Sequence, residues 1–262
     1  MPKGLPGADS SALVTTARDG KPLPEIAKAL FGRFPAFWGR YFTSVLTTSD
    51  VEYRHRKEDR ILHDNHIRVL PIGRHTSAVG GTEAQGVEDA RIQVGDLLAT
   101  FDARYLAEQG GRFFLFLDVE AERPLSMPYY TGWASTVSEH SRARTVGTVE
   151  IRPCVYASQS DVTTWKAIAE AGARGIPCDG VWVAHWLEQG PAADTQKGCL
   201  ALPEWDAAKV TPPVTLHCPV MFWQYSAQCR GGSGFDCDQS NPNLDAERDI
   251  LPFLVPPPAP AI

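Results

Sequence analysis

The chain has 262 residues, enough for one large domain or two small ones. Hydrophobic residues make up 43% and charged residues 21%, the balance of a globular chain that buries most of its apolar surface. The net charge of −6 and the lack of a basic stripe argue against nucleic-acid binding through phosphate neutralisation, and no apolar run approaches the ~20 residues of a membrane-spanning helix.

In chain order, GLPGADSSALV (4–14) reads as a short strand running into a polar turn, and LPEIAKALFGRF (23–34) as a helix. AFWGRYF (36–42) is a strand, and Ser49 to Glu52 form a capping box that opens a charged helix reaching about residue 64. HIRVLPIGR (66–74) is the next strand. A second capping box, Thr82 to Gln85, opens the clearest helix, with Val87, Ala90, Val94, Leu97, Leu98 and Phe101 on one stripe. FFLFLDVE (113–120) is a strand apolar on both faces, and YYTGWASTVSEH (129–140) a helix. IRPCVYAS (151–158) is a strand, and a helix from Ser160 places Val162, Trp165 and Ile168 together. GVWVAHW (180–186) is a strand, and TLHCPVMFWQYS (215–226) supplies one or two more. The proline-rich end, LPFLVPPPAPAI (251–262), reads as an extended strap or a disordered tail beyond a domain of residues 1–250.

Strand alternates with helix almost throughout, and several strands are continuously apolar. That is the pattern of a parallel sheet covered by helices. Seven or eight such units in one chain favour a single-domain α/β fold, a (β/α)8 TIM-like barrel. No GxGxxG follows the first strand, which removes support for a dinucleotide-binding open sheet.

In such a barrel, chemistry gathers at the C-terminal ends of the strands. Asp118 and Glu120 stand where the fourth strand ends. Residues i and i+2 of a strand share a side, with Cα atoms roughly 6.5 Å apart. Both carboxylates therefore aim at the mouth, and like charges so close raise the proton affinity of one of them. That is what glycoside hydrolysis uses: an acid for the leaving oxygen and a second carboxylate for the sugar. Asp9 follows the first strand, and Asp236 and Asp238 follow the last one through the loop RGGSGFD. Trp38, Tyr156, Trp182, Trp186, Trp223 and Tyr225 lie in or just after strands. Most of these suit core packing, while Trp223 and Trp186 are nearest strand ends and suit sugar rings. Tyr156, Tyr225, Asp238 and Arg40 complete the expected substrate-binding set.

His55, His63, His66 and His75 cluster in sequence but fall away from strand ends, so a metal-dependent hydrolase or deacetylase is the weaker reading and no metal or cofactor is expected. His185 and His217, within apolar runs, read as core residues. No GxSxG occurs, which disfavours a serine esterase. The six cysteines all lie at or after residue 154, and Cys229 and Cys237 flank RGGSGFD, where a disulfide is expected to shape the loop.

Several segments together resemble the bacterial glycoside hydrolase-like domain of unknown function, family 1906. That domain is similar to the family 25 lysozymes, muramidases built on a (β/α) barrel. The segments are GADSS (7–11), QGVEDARIQVGDLLATF (85–101), FFLFLDVE with its DxE, and the pair CVYAS and MFWQYS, the latter followed by GFDCDQSN. Residues 187–212 align to neither family. The resemblance implies that Glu120 is the general acid. Asp118 would position the reacting centre or stabilise its charge, and Asp9 and Asp236 would complete the acidic cluster. Asp238 stands where the lysozymes often carry asparagine. It further implies hydrolysis of a cell-wall polysaccharide, peptidoglycan, by a monomer working outside the cytoplasm. The first residues hold no apolar signal core, so export would need a removed leader or another route. A barrel that binds glycan without cleaving it is the alternative.

Overall fold

The structure, a computed structural model, describes residues 2–43, 53, 55–74, 78–120, 123–187, 201–229 and 234–259. The expected capping box at Ser49 to Glu52, together with His75 and Cys199, lies outside the described residues.

Eight strands close into a barrel: β1 (Pro6–Asp9), β2 (Phe37–Phe42), β3 (Arg68–Gly73), β4 (Arg112–Val119), β5 (Glu150–Ser158), β6 (Gly180–Ala184), β7 (Val220–Cys229) and β8 (Phe235–Ser240). The helices between them are α1 (Leu23–Phe31), α2 (His55–Asp64), α3 (Glu83–Phe101), α4 (Ala103–Glu108), α5 (Met127–Arg144), α6 (Val162–Ala173) and α7 (Ala207–Val210). A small hairpin, Ala17–Arg18 with Lys21–Pro22, precedes α1. β1 to β7 run parallel, each beside the next. The TIM-like architecture expected from the alternation is therefore present, with one departure. β8 is antiparallel to both β7 and β1. Residues 230–234 are all that separate β7 from β8, and a link that short can only turn the chain back, because a parallel crossover needs a dozen residues or more. Asp236 and Asp238 thus lie within the last strand rather than after it.

Strand parity sorts the wall into two faces. Phe37, Leu70, Ile72, Phe114, Phe116, Trp182 and Phe222 form an inner core. Trp38, Val69, Leu115, Val155, Val183 and Trp223 point outward and pack against the helical layer. The second capping box is formed: the Thr82 amide donates to Gln85 Oε1 at 2.8 Å, and the Gln85 amide donates back to Thr82 Oγ1 at 3.4 Å. α3 and α5 cross closely because both present glycine there. A Cβ on Gly86 would fall 2.1 Å from the Tyr129 carbonyl oxygen, and one on Gly132 would fall 2.2 Å from that of Glu83.

The proline-rich end is a packed strap as far as it is described. Phe253 stacks on Phe114 at 4.8 Å between centroids, Val255 bridges to Val69, and Tyr105 donates to the Pro256 carbonyl at 2.7 Å. With Ile250 and Leu254 fully buried, it covers the end of the barrel opposite the strand termini that carry the acids.

Candidate active site

β4 drives Phe114, Phe116 and then Asp118 down its inner side, and Glu120 follows one residue past the strand. Asp118 is 5% exposed. Burial, reinforced by the charge of Glu120 and only partly offset by Arg74, pushes its carboxyl up to about 7. Glu120 is exposed at the rim.

Asp9 ends β1 and faces inward beside Gly39, where a Cβ would lie 2.6 Å from the Asp9 Cβ, so glycine there makes room for the acid. Antiparallel β8 sets Asp236 opposite Asp9 and Asp238 opposite Gly7, one step deeper. Burial first, then the Asp236 charge, raises the Asp9 carboxyl well above the carboxylate range. Asp238 is raised by burial and by the charges of Asp9 and Asp236, while the Trp182 indole N–H donates to its Oδ1 at 3.2 Å.

Gln224, on the inner face of β7, ties the site together and was not singled out from the sequence. Its Oε1 accepts from the Tyr156 hydroxyl and the Trp186 indole N–H, both at 2.8 Å. Its Nε2 donates to Asp9 Oδ2 at 2.9 Å and to Asp236 Oδ2 at 3.2 Å. Two donors on one side and two carboxylates on the other allow a single orientation of the amide. The available signal was an amide side chain flanked by aromatic residues in MFWQYS.

These groups line two adjoining hollows. A cavity of about 200 Å³ is bounded by Asp9, Tyr41, Asp118, Gln224 and Asp236. A neighbouring cleft of about 430 Å³ is bounded by Ser158, Gln159, Ser160 and His185. Glu120, Tyr156 and Trp186 border both. Tyr156 packs edge-on against Trp182, with centroids 4.8 Å apart, and burial keeps its phenol protonated well beyond the usual range. Arg74 lies over the Tyr41 ring at 5.4 Å and is the cation acting on Asp118. Trp186 is 41% exposed and borders the larger cleft with Ser158, Gln159, Ser160 and His185.

The structure thus brings together Asp9, Asp118, Glu120, Asp236, Asp238, Tyr156 and Trp186. Three expected substrate contacts are corrected. Trp223 and Tyr225 share the outer face of β7, fully buried, with the Trp223 indole N–H donating to the His185 carbonyl at 2.8 Å. They are neighbours of Gln224 in sequence, and parity sends them the opposite way. Arg40 also points outward and is fully buried; Nε and Nη2 donate to Glu58 at 2.9 and 3.1 Å, and Nη1 to the Ser10 carbonyl. It anchors the turn after Asp9 instead of meeting a ligand. His185 lines the larger cleft rather than the core, and His217 is exposed. The Cys229 and Cys237 sulfurs lie 3.1 Å apart, beyond disulfide bonding distance, so the expected bond is not formed here. Among the described residues no group of three or more His, Cys, Asp or Glu side chains is arranged to hold a metal ion.

A closed eight-stranded α/β barrel with carboxylates converging at the strand ends defines the class: a TIM-like barrel with an acidic mouth. No protein-family model matches the chain, and no curated protein does. Solved structures share the fold. An uncharacterized B. stearothermophilus protein is 24% identical with a TM-score of 0.63, over 96% of this chain and 100% of that one. The Clostridium perfringens spore cortex lytic enzyme SleM is 13% identical with a TM-score of 0.53, over 94% of this chain and 70% of that one. The Mycobacterium tuberculosis Tat-secreted protein Rv2525c is 19% identical with a TM-score of 0.51, over 90% and 95%.

Proposed function

We propose that the chain is a glycoside hydrolase that cleaves a cell-wall glycan, peptidoglycan, by carboxylate acid/base chemistry at the barrel mouth. The observation that carries this reading is the Asp118–Glu120 pair: one carboxyl buried and pushed up to about 7, the other exposed two residues on, bordering both hollows. Asp118 takes up a proton as pH falls through about 7. Glu120 borders both hollows and is placed to act as the general acid on a glycosidic oxygen, with Asp118 buried beside it. As the C–O bond breaks, positive charge develops on the sugar facing Asp236, which Gln224 holds beside Asp9. Water then adds to the sugar carbon, and its proton returns to the carboxylate pair.

Trp186 offers the sugar an apolar face, and the small polar groups of the larger cleft leave room for a second residue of the chain. The choice of peptidoglycan rests on the segments that resemble the family 25 lysozymes, and SleM, on the same fold, is named a lytic enzyme of the spore cortex. Action outside the cytoplasm, as a monomer, belongs to the same proposal; Rv2525c, also on this fold, is described as Tat-secreted.

The test is release of soluble fragments from purified peptidoglycan by the wild-type chain and by Glu120→Gln, with analysis of the new reducing ends. Release that depends on Glu120 is the expected result. No release, with retained binding to the polymer, would make this a glycan-binding barrel.

A further inference from the structure

Four of the five described cysteines stand in two close pairs. The sulfurs of Cys178 and Cys218 are 3.2 Å apart across 40 residues of chain, and those of Cys229 and Cys237 are 3.1 Å apart across 8. A disulfide needs a sulfur separation of roughly 2.05 Å, so each pair is about an ångström from bonding distance. Each also joins strands that already lie side by side. Cys178 and Cys218 each precede a strand by two residues, β6 and β7, whose register pairs Val181 with Val220. Cys229 ends β7, and Cys237 lies in β8 beside it. Each pair thus sits across two neighbouring strands, where the backbone already holds the two sulfurs close.

We propose that both pairs close in an oxidising compartment, Cys178 with Cys218 at the foot of the barrel and Cys229 with Cys237 at its mouth. The oxidant is an organic disulfide. A cysteine thiolate attacks one of its sulfurs and releases one small thiolate. The partner cysteine, as thiolate, then displaces the second, leaving the protein disulfide. Each bond formed releases two protons from the protein and passes two electrons to the oxidant, which leaves as two thiols.

The two bonds have different duties. Cys178 and Cys218 are half-buried, and the Cys218 thiol donates to Cys178, which draws the Cys178 thiol below its usual range and makes it the entry point for exchange. The bond they form closes the long excursion between β6 and β7, which carries His185 and Trp186 of the larger cleft. Cys229 and Cys237 are both fully buried, so their bond forms as the chain folds and resists reductant afterwards. It staples the hairpin that supplies Gln224, Asp236 and Asp238. Cys154, buried on β5, stays reduced. None of this depends on glycan cleavage.

The test is a non-reducing peptide map by mass spectrometry. Full-length protein is unfolded and reduced, refolded with oxidised glutathione, and its remaining thiols are alkylated. The expected map shows Cys178–Cys218 and Cys229–Cys237 peptides, with Cys154 alkylated only after unfolding. Mild dithiothreitol on the folded protein is expected to open the first bond and spare the second. A map with all cysteines alkylated, or with Cys154 or Cys199 as partners, would overturn the proposal. Cys178→Ser provides an independent check, because it should keep the Cys229–Cys237 link and free Cys218 for alkylation. A reshuffled link in that variant would also overturn it.

Discussion

The barrel wall buries charge in two places, on opposite sides of the same strands. On the outer face, Arg40 is fully buried against Glu58, to which its Nε and Nη2 donate, and the Val14 amide also donates to Glu58 Oε2 at 2.9 Å. On the inner face, Asp9, Asp118 and Asp238 are nearly as buried and gather at one mouth, with the Arg74 charge acting on Asp118. The outer pair is neutral overall and satisfies its polar atoms, which is how a fold tolerates charge in its core. The inner cluster meets burial by holding protons instead. A chain selected for stability alone would not stack acids where each raises the proton affinity of the next. The contrast separates charge that is paired within the fold from acids that the fold buries beside one another.

The comparison breaks most sharply through activity. Glu120→Gln is expected to lower peptidoglycan cleavage by ~10²- to 10⁴-fold with no change in melting temperature, because the side chain is exposed. On the outer face, Glu58→Ala should cost roughly 3–5 kcal/mol in urea unfolding, since it strands Arg40 in the core. Acid pH probes the inner cluster. Asp118 binds its proton more tightly folded than unfolded, so its contribution is present in full below the ordinary value of 3.8 and is lost as pH rises towards about 7. That loss, on the order of 4 kcal/mol, should appear as a falling unfolding free energy across this window and be absent from Asp118→Asn. Gln224→Met should leave the fold intact and lower kcat by ~10- to 100-fold with little effect on KM, by releasing Asp9, Asp236, Tyr156 and Trp186 from their shared partner. The smallest effect reverses the sign seen for Glu58. Asp238→Asn keeps an acceptor for Trp182, removes a repelling acid, and should gain about 1 kcal/mol at pH 8. A loss of stability there would show that the inner acids are structural after all.

Much of this was legible in the residues. The alternation of apolar strands and striped helices specified the barrel, and the Thr82 capping box marked the start of α3. Asp118 and Glu120 were tied to one side of β4 by the two-residue repeat of a strand. The linear reading went wrong at β7 and β2. In MFWQYS the repeat groups Trp223 with Tyr225 and sets both against Gln224, but both faces are apolar enough to point inward. Arg40 posed the same ambiguity, and it was resolved by Glu58, 18 residues away in sequence on α2.

The sequence by itself determined which residues share a face, where the strands run, and that acids stand near their ends. Those are local properties, set by backbone periodicity and by the burial each apolar run demands. Only the tertiary structure decided which face turns inward, that β8 runs backward to carry Asp236 and Asp238 into the mouth, and that one glutamine would meet two acids and two aromatics. Gln224 lies 215 residues from Asp9 along the chain. No local pattern encodes that pairing, because barrel closure, not neighbouring sequence, brings the last strands against the first.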